Sequence, residues 1–190
     1  MRMSAFVIAI FALTAGPAAS QGVTVIGGGM ARACYTAARM DGPDPRAVQV
    51  CDSALAHETL RRRDRAATHV NRGILLLRER DGVRALSDFD AALALMPALA
   101  EGHVNRGAAL ILLDRPREAI AALNMALEKQ TAEPWTAHFN RATAREMLGD
   151  VSGAYADLQT ASALYPDWDL PKKELERYRV IEREAPVGLG

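Results

Sequence analysis

The chain has 190 residues, and its 23 lysines and arginines are balanced by 23 aspartates and glutamates, so the formal net charge is zero. No basic surplus is available to displace the counterions of a nucleic acid, which argues against nonspecific nucleic-acid binding as a function.

The N-terminus reads as an export signal. Arg2 supplies the positive start, "AFVIAIFALTA" from Ala5 to Ala15 is apolar and uncharged, and "AAS" at Ala18–Ser20 places small residues before a cut at Gln21. The apolar run is shorter than the roughly 20 residues a bilayer crossing needs, and no later stretch is longer, so the mature chain is expected outside the membrane. Residues 1–20 are therefore expected to be a signal peptide and the mature protein to cross an inner membrane into the periplasm. Arg2 is the only charge lost, which leaves 22 basic and 23 acidic side chains, a net charge of −1. The remaining length suits about one domain.

Residues 21–29 read as a flexible start. "VTVIGGGMA" at Val23–Ala31 has the look of a dinucleotide-binding strand and loop, but Arg32 stands where the third glycine belongs, and no alternating strands and helices follow. A first helix is expected over Met30–Met40, stopped by "DGPDP", where Gly42, Pro43 and Pro45 forbid continuation. Cys34 and Cys51 are the only cysteines. In an exported chain an even, small count points to one disulfide, worth about 3 kcal/mol for so short a loop. Two buried thiols or a metal pair are the alternatives, and two sulfurs with no nearby His or Asp make a poor zinc site. "LRRRDR" at Leu60–Arg65 is the one dense basic patch and reads as a solvated loop between helices.

The centre of the chain repeats itself. "HVNRG" occurs at His69–Gly73 and His103–Gly107, and "HFNRA" at His138–Ala142. The flanks share the register: each unit has apolar or small residues at helical spacing, a break, and a second such stretch. The breaks are Asp81–Gly82, Asp114–Pro116 and Gly149–Asp150, with Asp114 and Asp150 placed to cap second helices. A motif recurring at constant spacing marks a structural period; a catalytic motif is normally written once.

This pattern resembles the tetratricopeptide repeat. The small residue expected at the eighth position is Gly73, Gly107 and Ala142; the alanine at the twentieth is Ala85, Ala119 and Ala154. The large apolar residue at the twenty-fourth is Phe89, Leu123 and Leu158, the alanine at the twenty-seventh is Ala92, Ala126 and Ala161, and the closing proline is Pro97 and Pro166. The middle unit departs, with Thr131 at the proline place and Pro134 beyond it, so a longer exit turn is expected there. "CDSALA" at Cys51–Ala56 aligns with "FDAALA" at Phe89–Ala94 and marks a degenerate first unit, in which Ala47 takes the twentieth place, Cys51 replaces the large residue and Cys34 lies on the facing helix. The resemblance implies an all-α, right-handed α-solenoid of about four helix-turn-helix hairpins, units about 30–58, 66–97, 100–131 and 135–166. Small residues matter because helices pack at 8–10 Å only when the side chains between them allow it; enlarging Ala92 or Ala126 should overpack the contact by about 1–3 kcal/mol. Residues 167–184 suit a capping segment with a helix over Pro171–Glu184 and an apolar stripe of Leu175, Tyr178 and Ile181, and 185–190 a tail.

The same resemblance places Asn71, Asn105 and Asn140 in the concave groove, where an amide can hydrogen-bond a bound peptide's backbone; a structural amide is the alternative. Val70, Ile74, Val104, Ala108, Ile111, Phe139 and Thr143 are the other groove positions it implies. None is lysine or arginine, which disfavours a clamp for a C-terminal carboxylate. Arg72, Arg106 and Arg141 are expected to pair within the array, with Asp88 and Asp157 as partners, while Ala122 replaces that carboxylate in the middle unit. His69, His103 and His138 recur at the helix-packing distance and cannot share one metal ion. No nucleophile elbow, phosphate loop or HExxH is present, so no enzyme, metal or cofactor is expected. The expected function is an exported, non-enzymatic module binding a peptide or helix of another protein in the groove. The alternative is a structural, self-assembling envelope component whose end faces, at Trp168 or Tyr178, form an oligomer.

Overall fold

A computed structural model describes residues 22–24, 29–40 and 46–178, so the expected signal peptide, Ile181 and the tail lie outside the described residues. Among the described residues the chain forms nine helices and no strand: α1 (Met30–Arg39), α2 (Ala47–His57), α3 (Arg62–Arg78), α4 (Gly82–Leu95), α5 (Ala100–Leu112), α6 (Pro116–Glu128), α7 (Pro134–Met147), α8 (Val151–Leu164) and α9 (Asp169–Leu175). The first eight pair into four successive hairpins, and α9 packs on α8. The first helices of neighbouring hairpins touch one another in series, whereas the second helices make no comparable contact. The first helices therefore form a tight inner layer and the second helices a splayed outer one, giving the curved, all-α solenoid expected of stacked hairpins.

Side-chain size sets the closeness of each hairpin. A Cβ added to Gly73 would lie 2.5 Å from Phe89 Cε1, and one added to Gly107 would lie 2.6 Å from Leu123 Cγ. Those crossings admit nothing larger than hydrogen, and the buried Ala142 takes the same place beside Leu158. Ala85, Ala92, Ala119, Ala126, Ala154 and Ala161 are completely buried around them.

The turns inside the hairpins share one conformation. Arg80, Asp114 and Gly149 hold equivalent left-handed positions with φ of 61°, 56° and 75°, the usual way a helix is ended. One step later Asp81 and Asp150 accept the backbone N–H of Arg84 and Gly153, each at 3.0 Å, closing a donor left open at a helix start. Asp114, expected to cap α6, is instead the left-handed residue; α6 begins with Arg115 as its uncapping neighbour and Pro116 at its first position, where proline's missing N–H costs nothing. The middle exit, residues 129–133, is one residue longer than 96–99, with Pro134 opening α7.

The first hairpin is held from outside. Cys34 and Cys51 are fully buried with their sulfurs 2.08 Å apart. A helix of ten residues is marginal alone, and α1 is braced at both ends. The Glu58 carboxylate accepts the N–H groups of Met30 and Ala31 at 2.5 and 3.1 Å. At the other end the Arg78 guanidinium donates to the carbonyls of Ala37, Ala38 and Met40 at 3.3, 2.6 and 2.9 Å. The basic patch is not a loop. It opens α3, which at 17 residues exceeds the 13 of α5 and the 14 of α7. Arg62 donates to Leu95 O at 2.6 Å and Arg65 to Leu55 O at 3.2 Å, so two of its cations sit on the negative C-terminal ends of α4 and α2.

At the far end the helix expected over Pro171–Glu184 starts earlier, at Asp169, and ends at Leu175. Leu175 and Tyr178 pack on Ala142, Ala154 and Leu158, covering the last hairpin. No helix among the described residues is long and apolar enough to cross a membrane.

Candidate functional site

The polar residues of the repeated pentapeptide divide between two tasks. Arginine and histidine face outward from the inner layer, towards the second helices. In the second hairpin Asp88 Oδ1 accepts from His69 Nδ1 at 2.8 Å and Arg72 Nη2 at 2.7 Å, while its Oδ2 accepts from Arg72 Nε at 2.8 Å. In the fourth, Asp157 repeats the arrangement with His138 Nδ1 at 2.8 Å and Arg141 at 2.7 and 2.9 Å, and adds Arg145 Nη1 at 2.7 Å. Burial pushes the Asp157 carboxyl up, but the bonds from Arg141 and His138 prevail and bring it down to about 2; the same opposition lowers Asp88.

Each arginine also reaches the second helix of the hairpin before it. Arg72 Nη1 donates to Asp52 at 2.7 Å, Arg106 Nε to Asp90 at 2.7 Å and Arg141 Nη1 to Asn124 at 2.6 Å. All three acceptors directly follow the large residue of their repeat, Cys51, Phe89 or Leu123. These bonds stitch one unit to the next. Where Ala122 replaces the carboxylate, Arg106 keeps only this inter-unit bond among those described, and His103 Nε2 turns to Pro97 O at 3.0 Å. The three histidines are thus engaged separately.

Asparagine has the second task, on the concave side. Asn71 is fully buried, and its amide is doubly engaged: Oδ1 accepts from Val23 N and Nδ2 donates to Val23 O, both at 3.0 Å. Gly22–Thr24, the stretch read as a flexible start, is therefore an arm seated between α1 and α3. Asn105 occupies the next place along the groove and is also fully buried, yet neither of its amide atoms has a partner among the described residues; Asn140, 8% exposed, lacks one for Nδ2. A buried polar group left unmade costs about 1–3 kcal/mol, so the two amides are strained features of the inner face.

The other expected groove residues split by depth. Val70, Ile74 and Val104 are at most 1% exposed, at the same depth as Asn71 and Asn105, and belong to the core, as does Ile111. Ala108, Phe139 and Thr143 are only partly buried and can be touched. A cavity of about 640 Å³ lies beside the arm, lined also by Arg39, Arg63, Met96, Leu99, Glu101 and Glu133. Trp168, expected on an end face, is 8% exposed and packs on Phe139 with ring centroids 4.9 Å apart and planes tilted by 55°, and Trp135 pairs with Tyr165 at 5.0 Å. The C-terminal end of the inner face is thus aromatic.

No family model matches the chain, and no curated protein does. Solved structures do match it. The TPR domain of Arabidopsis OM64 superposes with a TM-score of 0.59 at 24% identity, over 62% of this chain and 96% of that one. The second TPR domain of human RPAP3, solved in complex with the HSP70 peptide SGPTIEEVD, gives 0.57 at 25% over 62% and 97%. MamA from Desulfovibrio magneticus RS-1 gives 0.62 at 20% over 78% and 82%. The fold is a tetratricopeptide-repeat array.

Within this tetratricopeptide-repeat (TPR) array, sequence reasoning located the asparagines and the Arg–Asp pairs. It missed His69 and His138 as further partners of Asp88 and Asp157, although the 19-residue interval from each histidine to its aspartate is constant. It also missed the inter-unit acceptors Asp52, Asp90 and Asn124, whose common signal is a polar residue one place after the large one.

Proposed function

We propose that this TPR array is an exported protein-binding module that holds an extended segment of a partner protein along its concave face. The observation that carries the reading is the Asn71 amide bonded to both the N–H and the C=O of one residue, Val23. Those two groups lie on the same side of a residue only when its backbone is extended, as in a paired strand; in a helix they point in opposite directions along the axis. Of the peptide and the helix considered from sequence, the extended peptide is favoured. Asn140, 8% exposed, carries the same amide with an Nδ2 bond to make, while Asn105, fully buried, would meet a strand only if the groove opened over it; an amide supplies donor and acceptor without reading side chains. The peptide held by the RPAP3 domain supports the general reading. The signal-like N-terminus supports export, and with it the Cys34–Cys51 disulfide, since such bonds persist in oxidising compartments.

Neighbouring first helices stand about 8–10 Å apart, and three residues of polyproline-II chain advance about 9 Å. A strand meeting one asparagine after another would present every third residue. Of the two residues named for the end-face alternative, Trp168 is 8% exposed against Phe139, which weighs against it, and Tyr178 is partly exposed.

The test places a photo-crosslinking residue at Ala108 or Thr143 on the groove and at Val83, 69% exposed on a second helix, as a control. In intact cells the groove positions should capture a discrete partner that Asn105→Ala together with Asn140→Ala releases. Capture of the same partner at Val83 and not at Ala108 would overturn the groove.

A further inference from the structure

Four observations converge on the arm Gly22–Thr24. Its central residue makes a two-bond amide clamp with Asn71, 48 positions away in sequence. The Val23 side chain packs on both the main core and the smaller cluster formed by Ala31, Ala54 and Ala67. Gly22 passes so close to the groove wall that an added Cβ would meet Arg39 Cγ at 3.2 Å, Asn71 Oδ1 at 3.5 Å and Tyr35 at 3.6 Å. Thr24 Oγ1 lies 3.4 Å from Tyr35 Oη, which in turn accepts from Arg39 Nη1 at 3.0 Å. The backbone is gripped, a side chain is anchored, and a larger entering residue would have to push the Arg39 side chain aside by a few tenths of an ångström. By contrast Asn105 and Asn140, in the same repeat position, hold nothing among the described residues.

We infer that Gly22–Thr24 is a resident occupant of the first station of the groove, so that an incoming extended segment competes with the chain's own arm for Asn71. This rests on the groove reading proposed above and adds its regulation. A tethered occupant acts at an effective concentration that reaches the millimolar range for short connections. An outside strand of similar chemistry is then held off Asn71 and is confined to Asn105 and Asn140 until the arm lifts. Full engagement requires displacement of the arm, and the apparent affinity is reduced by the fraction of molecules whose first station is open.

Val23→Pro in the mature full chain tests the competition. Proline has no N–H to give to Asn71 Oδ1, and position 23 precedes every helix. The probe is a blocked, fluorescent peptide with the arm's own sequence in the mature chain, QGVTVIGG. In the unaltered chain the Val23 amide should be protected from hydrogen exchange by NMR and the probe should bind weakly. With Val23→Pro it should bind about tenfold tighter, as for a station only a tenth open beforehand, and adding Asn71→Ala should remove that gain. An unprotected Val23 amide, or equal affinity for the two chains, would overturn the inference. A protected Val23 amide with no probe binding even to the Val23→Pro chain would overturn the groove reading and the competition with it, while the arm's docking stood.

Discussion

The second and third hairpins carry the same five residues, His-Val-Asn-Arg-Gly, at the same place in the same fold, and almost every polar atom among them has a different partner. His69 bonds Asp88, but His103 bonds the Pro97 carbonyl. Arg72 is held by Asp88 and Asp52, whereas Arg106 is held by Asp90. Asn71 grips Val23, and Asn105 grips nothing among the described residues. The apolar residues alone do one job in both: Val70 and Val104 fill the core, and Gly73 and Gly107 sit beneath Phe89 and Leu123. The pentapeptide fixes positions; residues elsewhere in the chain, Asp88 against Ala122 and the arm at Val23, decide what those positions do.

Exchanging the partner should break the comparison most strongly. Asp88→Ala gives the second hairpin the third hairpin's composition but leaves the partly buried Arg72 guanidinium and His69 without their shared acceptor. Removing one member of such a pair typically costs about 3 kcal/mol, read as a lowered urea midpoint. The reciprocal Ala122→Asp supplies Arg106 and His103 with a carboxylate at a site 3% exposed. There desolvation and attraction nearly cancel, and stability should stay within about 1 kcal/mol of the parent. Equal losses in both variants would contradict the assignment of Asp88 as the organiser of its cluster.

Acid should sharpen the contrast, because the third hairpin has no carboxylate at this place. Asp157 stands at about 2 in the folded chain against an ordinary 3.8. A folded-state value below the unfolded one means stabilisation that is complete above pH 3.8 and disappears as the pH falls through about 2. At roughly 1.4 kcal/mol per unit, its share is about 2 kcal/mol. Urea titrations between pH 5 and 2 should show that loss, and Asp88→Ala with Asp157→Ala should flatten the slope. A double variant as acid-sensitive as the parent would place the acid lability elsewhere.

The parts legible in the sequence were those set by the repeat's own period. Gly73, Gly107, Phe89 and Leu123 announce where helices cross, because only a residue without a side chain fits under a large one. Arg72–Asp88 and Arg141–Asp157 were readable because both partners lie in one unit. Apart from the bonds of His69 and His138 inside their units, what escaped depended on contacts between units or outside them. Asp52 and Asp90 serve the following hairpin; Arg62 and Arg65 look like a loop's charges until the carbonyl ends of α4 and α2 come into reach. Asp114 looked like a cap, but it holds the left-handed place of Arg80 and Gly149, and Arg115 stands where Asp81 and Asp150 cap. Val23 lies 48 residues from Asn71 with no periodicity to connect them. Depth was hidden too, since a position on the inner face of a helix, such as Val70 or Val104, is open or sealed according to how tightly its neighbours close.

The asparagines give the finest discrimination, because one substitution should have opposite signs at two copies of one motif. Asn105→Leu replaces a fully buried amide that bonds nothing among the described residues with an apolar side chain of similar size. The cost of an unmade buried donor and acceptor is relieved, and apolar burial is added, for a gain of about 1–2 kcal/mol. At Asn71 the same change removes two bonds to Val23, leaves that residue's N–H and C=O to solvent or to an unmet interior, and should lower stability by about 1 kcal/mol. Paired thermal melts of the two variants provide the measurement, and two losses of equal size would mean that Asn105 has a structural partner after all. The expected outcome has a functional edge. On the groove reading proposed above, a residue whose replacement strengthens the free molecule is one that a bound strand would satisfy, and the pattern for that contact is the Val23 backbone that Asn71 holds one repeat away.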